Sequence, residues 1–263
     1  MFAFTAPDFV YVCDFLHDYG GVKVVTAIFP AAGKGKRMQA GMNKVLVELE
    51  GVPILVRTLA RFSRCQAVDR LVVVVAAHEV DFVTDMLTGA DREFGLKPWQ
   101  VTAGGSERQY SVWNGIQAVQ GAADDDIILV HDAARPLVSE KTILETIRVA
   151  EAKGAAIAAV PVKNTIKVVD ASGVVVDTPM RSTLVAVQTP QIFRASLLKE
   201  AYAALAAKPA AVTDDASVVE LLGHRVVVAQ GRYENIKITT PEDLVLAEHF
   251  LEELQQEEHN YGE

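Results

Sequence analysis

The stretch PAAGKGKRM (30–38) sets two glycines and three cations into one turn directly after the apolar run VVTAIF. Gly33 and Gly35 allow a tight turn and a close backbone approach to a ligand. Ala31 and Ala32 leave room for a flat group, and Lys34, Lys36, Arg37 and then Lys44 supply positive charge. These residue types suit an anion with a flat head. The loop is neither GxxxxGK[ST] nor GxGxxG, whose third glycine is missing here. Taken alone it reads equally as a solvated turn with incidental lysines.

Two further loops follow apolar runs. HDAARP (131–136) comes after IILV and puts Asp132 at a strand's carboxyl end. That carboxylate can form a structural ion pair, or can hold Mg²⁺, which commonly takes one or two carboxylates plus substrate phosphates. His131 reads as a packed histidine, and Arg135 as a cation that pins the loop by pairing with an acid. GGSERQYSV (104–112) comes after WQVTA and brings two glycines, Ser106, Arg108 and Ser111. It is either a turn in which Ser106 caps the next helix or a backbone edge that reads a nucleobase. Three loops after three strands lie at one edge of a parallel sheet, where ligands bind. Together their glycines, cations and one Asp point to a nucleotide site.

The elements that must position these loops alternate along the chain. Nearly continuous apolar strands are expected at 24–29, 71–77, 127–130 and 155–162, with a further strand at WQVTA (99–103). Helices are expected at 53–62, 79–87, 139–154, 194–208 and 214–223, the third with Ser139 as its N-cap and Gly154 as its stop. Further strands are expected at 225–231 and at NIKIT (235–239). A last helix starts after Thr240, with Pro241 in its first position and Glu242 and Asp243 in its first turn. Strand–helix–strand repetition gives an α/β fold with a mostly parallel sheet and helices on both faces. Residues 165–187 break the pattern: two strand-like limbs flank a turn signal at 170–173, as in an inserted β-hairpin arm. Valines on both limbs cannot stabilise such an arm alone, so a second copy of the protein is the simplest partner.

The 263-residue chain carries a formal net charge of −9, which argues against nucleic-acid binding through a broad basic face. No apolar stretch reaches the roughly 18 residues of a membrane span. Cys13 and Cys65 match neither a disulfide framework nor a zinc site, which fits a reducing, cytoplasmic setting. Residues 1–23 lack the cationic start and unbroken apolar stretch of a secretory signal and read as an extension outside the fold. The expected organisation is therefore one domain at 24–250, with its arm at about 163–187, and a polar tail at 251–263.

PAAGKGKRM with Lys44, GGSERQYSV, HDAARP, NTIK (164–167), QTPQIF (188–193), TDDAS (213–217) and GRYENIKITTPEDL (231–244) occur in this order. In these stretches, across about residues 24–250, the chain resembles the 2-C-methyl-D-erythritol 4-phosphate cytidylyltransferase family of the non-mevalonate isoprenoid pathway. The resemblance implies a Rossmann-like fold of nucleotidyltransferase type with the arm as a dimerisation element. It implies transfer of CMP from CTP to the phosphate of methylerythritol phosphate with release of pyrophosphate. It further implies that Ala31, Ala32, Gly33, Gly105 and Ser111 surround the cytosine, and that Arg37 and Lys44 grip the triphosphate. Asp132 would hold Mg²⁺ and contact the ribose region, and Lys237 would reach the α-phosphate and the acceptor. Thr189 and Thr213 would line the acceptor side, with Thr165 and Arg181 supplied by the arm to a neighbouring subunit. Without the resemblance, Lys237 reads as an edge-strand lysine and Thr165 as a β-former.

The chain departs from the family's pattern at two places. Asn43-Lys44-Val45 stands where the family often has Pro-Lys-Gln, and Ser106 stands for the Asp of Gly-Gly-Asp-Glu-Arg. Competing readings are a cytidylyltransferase for another polyol phosphate such as ribitol 5-phosphate, a uridylyl- or other sugar-nucleotidyltransferase, and a non-catalytic nucleotide-binding protein.

Overall fold

The computed structural model describes residues 23–33, 43–119 and 121–261. The expectations for Arg37 and for the N-terminal extension lie outside these residues. In chain order the strands are β1 (Val25–Pro30), β2 (Glu48–Leu49), β3 (Val52–Pro53), β4 (Arg70–Val75), β5 (Trp99–Ala103), β6 (Ile127–Val130), β7 (Ala155–Pro161), β8 (Val168–Val169), β9 (Val175–Asp177), β10 (Val185–Arg194) and β11 (Val227–Gln230). The helices are α1 (Ile54–Arg64), α2 (Val80–Phe94), α3 (Arg108–Ala118), α4 (Glu140–Lys153), α5 (Ala195–Ala207), α6 (Asp215–Glu220) and α7 (Pro241–Tyr261).

Seven strands form one sheet in the order β11-β7-β10-β6-β1-β4-β5, in which β10 alone runs antiparallel to its neighbours. The apolar run of β1 is continuous because both of its faces are covered. Ala27 and Phe29 pack with Leu55, Leu59 and Phe62 of α1, while Ile28 packs with Val112 and Ile116 of α3. Helix α4 begins and ends as its sequence predicts: the Ser139 hydroxyl accepts the Thr142 N–H, and Gly154 stops the helix at φ 90°. The last helix opens with a reciprocal cap, in which the Asp243 carboxylate accepts the Thr239 and Thr240 N–H groups and the Thr240 hydroxyl accepts the Asp243 N–H.

The inserted arm is present as β8 and β9, closed by the turn at 170–173, and it leaves the sheet between β7 and β10, which pair at its root. Its valines point to no core: Val169, Val174, Val175 and Val176 are all exposed.

Two expectations are corrected. NIKIT is not a strand. Its alternation reflects burial of Ile238 beside Leu49, Leu137 and Ala247 in a small third cluster, and its Ile238 N–H bonds to Ala134 of the loop after β6 instead of to a sheet edge. The domain also does not stop at residue 250, because α7 continues to Tyr261 and buries Leu251 and Leu254. Between these leucines and just after them, Glu252, Glu253 and Gln256 are exposed, as on the outer side of an amphipathic helix. No helix among the described residues is long and apolar enough to cross a membrane.

His131 sits fully buried directly after β6, its ring 4.7 Å from that of Phe62 and 6.2 Å from that of Phe29. Nε2 donates to the Arg135 carbonyl at 3.1 Å, which closes the loop over the ring. Burial keeps the imidazole neutral, with its pKa pushed down to about 3. The unfolded chain therefore takes up a proton below about pH 6.5 that the folded protein refuses. Stability supplied by this group is complete above that pH and is lost as pH falls toward 3. The expected slope is roughly 1 kcal/mol per pH unit, read from urea unfolding between pH 6.5 and 4.5. His131→Gln, which keeps a donor and does not titrate, should show a shallower slope by that amount; equal slopes would rule the assignment out.

Candidate active site

The carboxyl ends of β1, β4, β5 and β6 open onto a cleft of about 780 Å³. A smaller depression of about 320 Å³ at the opposite end of the strands carries one charged residue, Arg70, among the described residues. The chemistry lies in the larger one.

One wall of the cleft is a slot of small residues. The loops after β1 and β5 approach so closely that a methyl group on Gly104 would stand 2.7 Å from Ser111 Oγ and 2.8 Å from Ala32 Cβ. On Gly105 it would stand 2.3 Å from Tyr110 Cβ. Only glycine fits either position. Ser111 Oγ accepts the Gly105 N–H at 3.2 Å and donates to the Glu107 carbonyl at 3.1 Å, so its buried hydroxyl shapes the loop. The cap anticipated from Ser106 is not made, since α3 begins without a side-chain cap. Ala31, Ala32, Gly33, Gly105 and Ser111 all line the slot.

Asn43 accounts for the departure at Asn43-Lys44-Val45. Its amide donates to the Ala31 carbonyl at 2.7 Å and to Glu79 Oε2 at 3.1 Å, and its carbonyl accepts the Val45 N–H. Glu79 also accepts the Ala76 N–H. One side chain thus ties the turn that carries Lys44 to the loops after β1 and β4.

The charged side of the cleft is built around Asp132. Its carboxylate lies 2.9 Å from Lys237 Nζ, 3.3 Å from Arg135 Nε and 3.6 Å from Arg108 Nε. Burial alone would raise its pKa; the charges of Lys237, Arg108 and Arg135 outweigh burial and hold it well below the usual carboxylate range. Arg135 also donates to the Asn235 carbonyl, so the loop after β6 and residues 231–238 are clamped together. Ile238, anchored in the third cluster, fixes the backbone from which Lys237 reaches Asp132. Lys44 Nζ donates to the Ile238 carbonyl at 3.2 Å, which brings the second lysine to the same corner. Beneath this, the Thr189 hydroxyl accepts the Asp132 N–H at 3.0 Å.

Of the residues singled out in the sequence, Ala31, Ala32, Gly33, Lys44, Gly105, Ser111, Asp132 and Lys237 meet in this one cleft. Thr189 is buried behind it with its hydroxyl engaged by Asp132. Thr213 lines a smaller cavity of about 120 Å³ on the far side of Arg108. Thr165 and Arg181 are exposed on the arm and do not line the cleft; Arg181 donates to the Lys163 carbonyl at 3.0 Å. Sequence reasoning gave no role to Asn43, Glu79 or the partner of Arg108, which is Asp215. The one local signal was Glu79, placed three residues after Ala76 at the end of an apolar strand, where a carboxylate can cap the turn.

The family described as IspD, 2-C-methyl-D-erythritol 4-phosphate cytidylyltransferase, matches residues 25–253. A protein of that name from Geotalea uraniireducens is 45% identical over 234 residues, covering 89% of this chain and 99% of its own. One from Bacillus anthracis is 47% identical over 226 residues, covering 86% and 97%. Among solved structures, a 4-diphosphocytidyl-2C-methyl-D-erythritol synthase from Anaerococcus prevotii superposes with a TM-score of 0.77 at 31% identity, over 88% of this chain and 99% of that one. A 2-C-methyl-D-erythritol 4-phosphate cytidylyltransferase from Thermus thermophilus gives 0.68 at 32%, over 86% and 98%.

Proposed function

This chain belongs to the 2-C-methyl-D-erythritol 4-phosphate cytidylyltransferase family, a family of nucleotidyltransferases, and we propose that it transfers CMP from CTP to 2-C-methyl-D-erythritol 4-phosphate. The products are 4-diphosphocytidyl-2-C-methyl-D-erythritol and pyrophosphate. The observation that carries this reading is the meeting of Lys44, Lys237 and Asp132 with a glycine–alanine slot in one cleft. The slot suits a flat base, and the lysines suit the phosphates attached to it.

In the proposed reaction an oxygen of the acceptor's phosphate attacks the α-phosphorus of CTP in line. A new P–O bond forms, the bond from the α-phosphorus to the bridging oxygen breaks, and pyrophosphate leaves with the electron pair. The attacking oxygen is already anionic at neutral pH, so no general base is needed. The barrier is electrostatic, because two polyanions must meet and charge grows on the departing group. Lys44 and Lys237 answer it from fixed positions, and the glycine-rich loop would add Arg37. Asp132 orients Lys237 and keeps the cationic corner from repelling itself apart.

The donor set is compatible with a magnesium ion held chiefly by substrate. Among the described residues no three acidic, His or Cys side chains gather; as the family resemblance implies, Asp132 would be a carboxylate ligand beside substrate phosphates. Lys237 and Arg135 both approach Asp132 Oδ2, whereas Oδ1 has the longer 3.6 Å contact with Arg108. Bound there, the ion would neutralise phosphate charge.

On the acceptor side, the exposed arm supports a homodimer in which each copy covers the other's valines and lends Thr165 and Arg181 to its neighbour's cleft. The Thr189 hydroxyl, engaged with the Asp132 N–H, serves by fixing Asp132.

Pyrophosphate release with CTP and Mg²⁺, measured across a panel of polyol phosphates, should be fastest with methylerythritol phosphate; preference for ribitol 5-phosphate would move the chain's acceptor elsewhere, and preference for UTP would change the nucleotide. Lys44→Ala should lower turnover by roughly 10²–10³-fold, the scale for one oriented stabiliser of developing charge. Unchanged turnover would remove Lys44 from the mechanism. Arg181→Ala should raise the acceptor KM and leave CTP affinity in place, and the reverse pattern would show that the arm serves the nucleotide.

A further inference from the structure

A buried polar cluster next to the cleft takes no part in the steps above. Asp215, at the start of α6, is fully buried and accepts both arms of the Arg108 guanidinium, at 3.0 Å to Oδ1 and 2.7 Å to Oδ2. The Tyr202 hydroxyl of α5 donates to the same carboxylate at 2.6 Å, and its ring stacks on Trp113 of α3. Gln191 of β10 holds the same turn from below, donating to Asp214 Oδ2 at 2.8 Å and accepting the Ala216 N–H at 2.9 Å. Ser217 Oγ accepts the N–H groups of Thr213 and Asp214, so Thr213 is carried by that turn.

Arg108 stands between two compartments. It lines the large cleft, where its Nε faces Asp132 Oδ1, and also the small cavity that contains Thr213 and Asp214. Its fork is not available to grip a phosphate. Turning it toward the cleft would leave the buried Asp215 carboxylate, among the described residues, with the Tyr202 hydroxyl as its side-chain partner, a costly arrangement for a buried charge.

We infer that Arg108 and Asp215 are positioning residues for the transfer: their buried pair locks the strip 212–217, which bears Thr213, to the Asp132 corner of the cleft. The role assigned to the strip rests on the proposed cytidylyl transfer, with the acceptor seated between Thr213 and Asp132. The pair then sets the distance between acceptor and nucleotide without contacting either. Losing it should impair acceptor use and turnover while sparing CTP binding, because residues 212–217 do not line the slot, and the Ser111 contacts that shape the slot do not involve the pair.

The test uses the full chain with Arg108→Lys, which keeps the charge and loses the fork, Asp215→Asn, and Tyr202→Phe, which removes one donor to Asp215 and is the mildest change. Steady-state kinetics should show kcat/KM for the acceptor down by about 10²-fold in the first two variants, the scale for a misplacement of about 1 Å. CTP affinity by calorimetry should stay within about 3-fold, and Tyr202→Phe should shift acceptor kinetics in the same direction by a few-fold. Amide exchange in 212–217, followed without substrate, should quicken by roughly 10-fold or more in Arg108→Lys. A collapse of CTP affinity with acceptor KM intact would make Arg108 a nucleotide ligand and overturn the inference. So would a lower Tm with unaltered kinetics, or unaltered exchange in the strip. If the wild-type chain itself fails to turn over CTP with any polyol phosphate, the proposed function falls, and the exchange experiment still decides whether the pair holds the strip.

Discussion

The contact between the Asp132 carboxylate and its three cations joins three parts of the chain at one point of the cleft. Arg108 comes from the start of α3, Arg135 from the loop after β6, and Lys237 from the irregular segment before α7. Cations brought this close would repel one another, and a carboxylate this buried would protonate if left alone. Each defect cures the other. A buried ion pair of this kind is weak evidence for net stability, because desolvation offsets most of the attraction, but removing one partner is expensive, about 3–5 kcal/mol. The cluster is therefore better understood as a device that fixes geometry. It leaves a preorganised positive corner whose members cannot drift apart when the cleft is empty.

Much of this was legible in the sequence wherever the determining interaction is local. The Ser139 cap, the Gly154 stop and the fully covered β1 each depend on a handful of neighbouring residues, and each pattern translated directly into structure. The three loops of the cleft were legible for a topological reason, since parallel strands send their following loops to a common edge. What escaped was long-range pairing of polar groups. Arg108 and Asp215 are 107 positions apart, and Asn43 and Glu79 are 36 apart. Nothing in either partner's immediate sequence names the other.

The segment NIKIT shows how the same pattern can arise from a different cause. Alternating apolar residues signal a strand only if the alternate faces are those of a sheet. Here Ile238 is buried in a pocket formed by β2, the loop after β6 and α7, and Lys237 on the opposite side reaches the Asp132 carboxylate. The periodicity is that of an extended chain pinned at intervals. In the same way the polar end of α7 reads as a tail because Leu251 and Leu254 are two apolar residues in a stretch dominated by glutamate and glutamine.

Strand β10 carries two duties along one length of backbone. Its first residues pair with β7 at the root of the arm, its last pair with β6 in the centre of the sheet, and the register slips between Val187 and Gln191, where Thr189 turns to hold Asp132. A residue added or deleted near that slip would rotate Thr189 and Gln191 out of place together. The distal turn is built differently: Asp170 Oδ1 accepts the Ser172 and Val174 N–H groups, a closure made within five residues. Genetic drift in the size of this protein therefore has a tolerant address at the arm's tip and a forbidden one at its root, and descendants of the chain should differ in how far the arm extends but not in how it is hinged to the sheet.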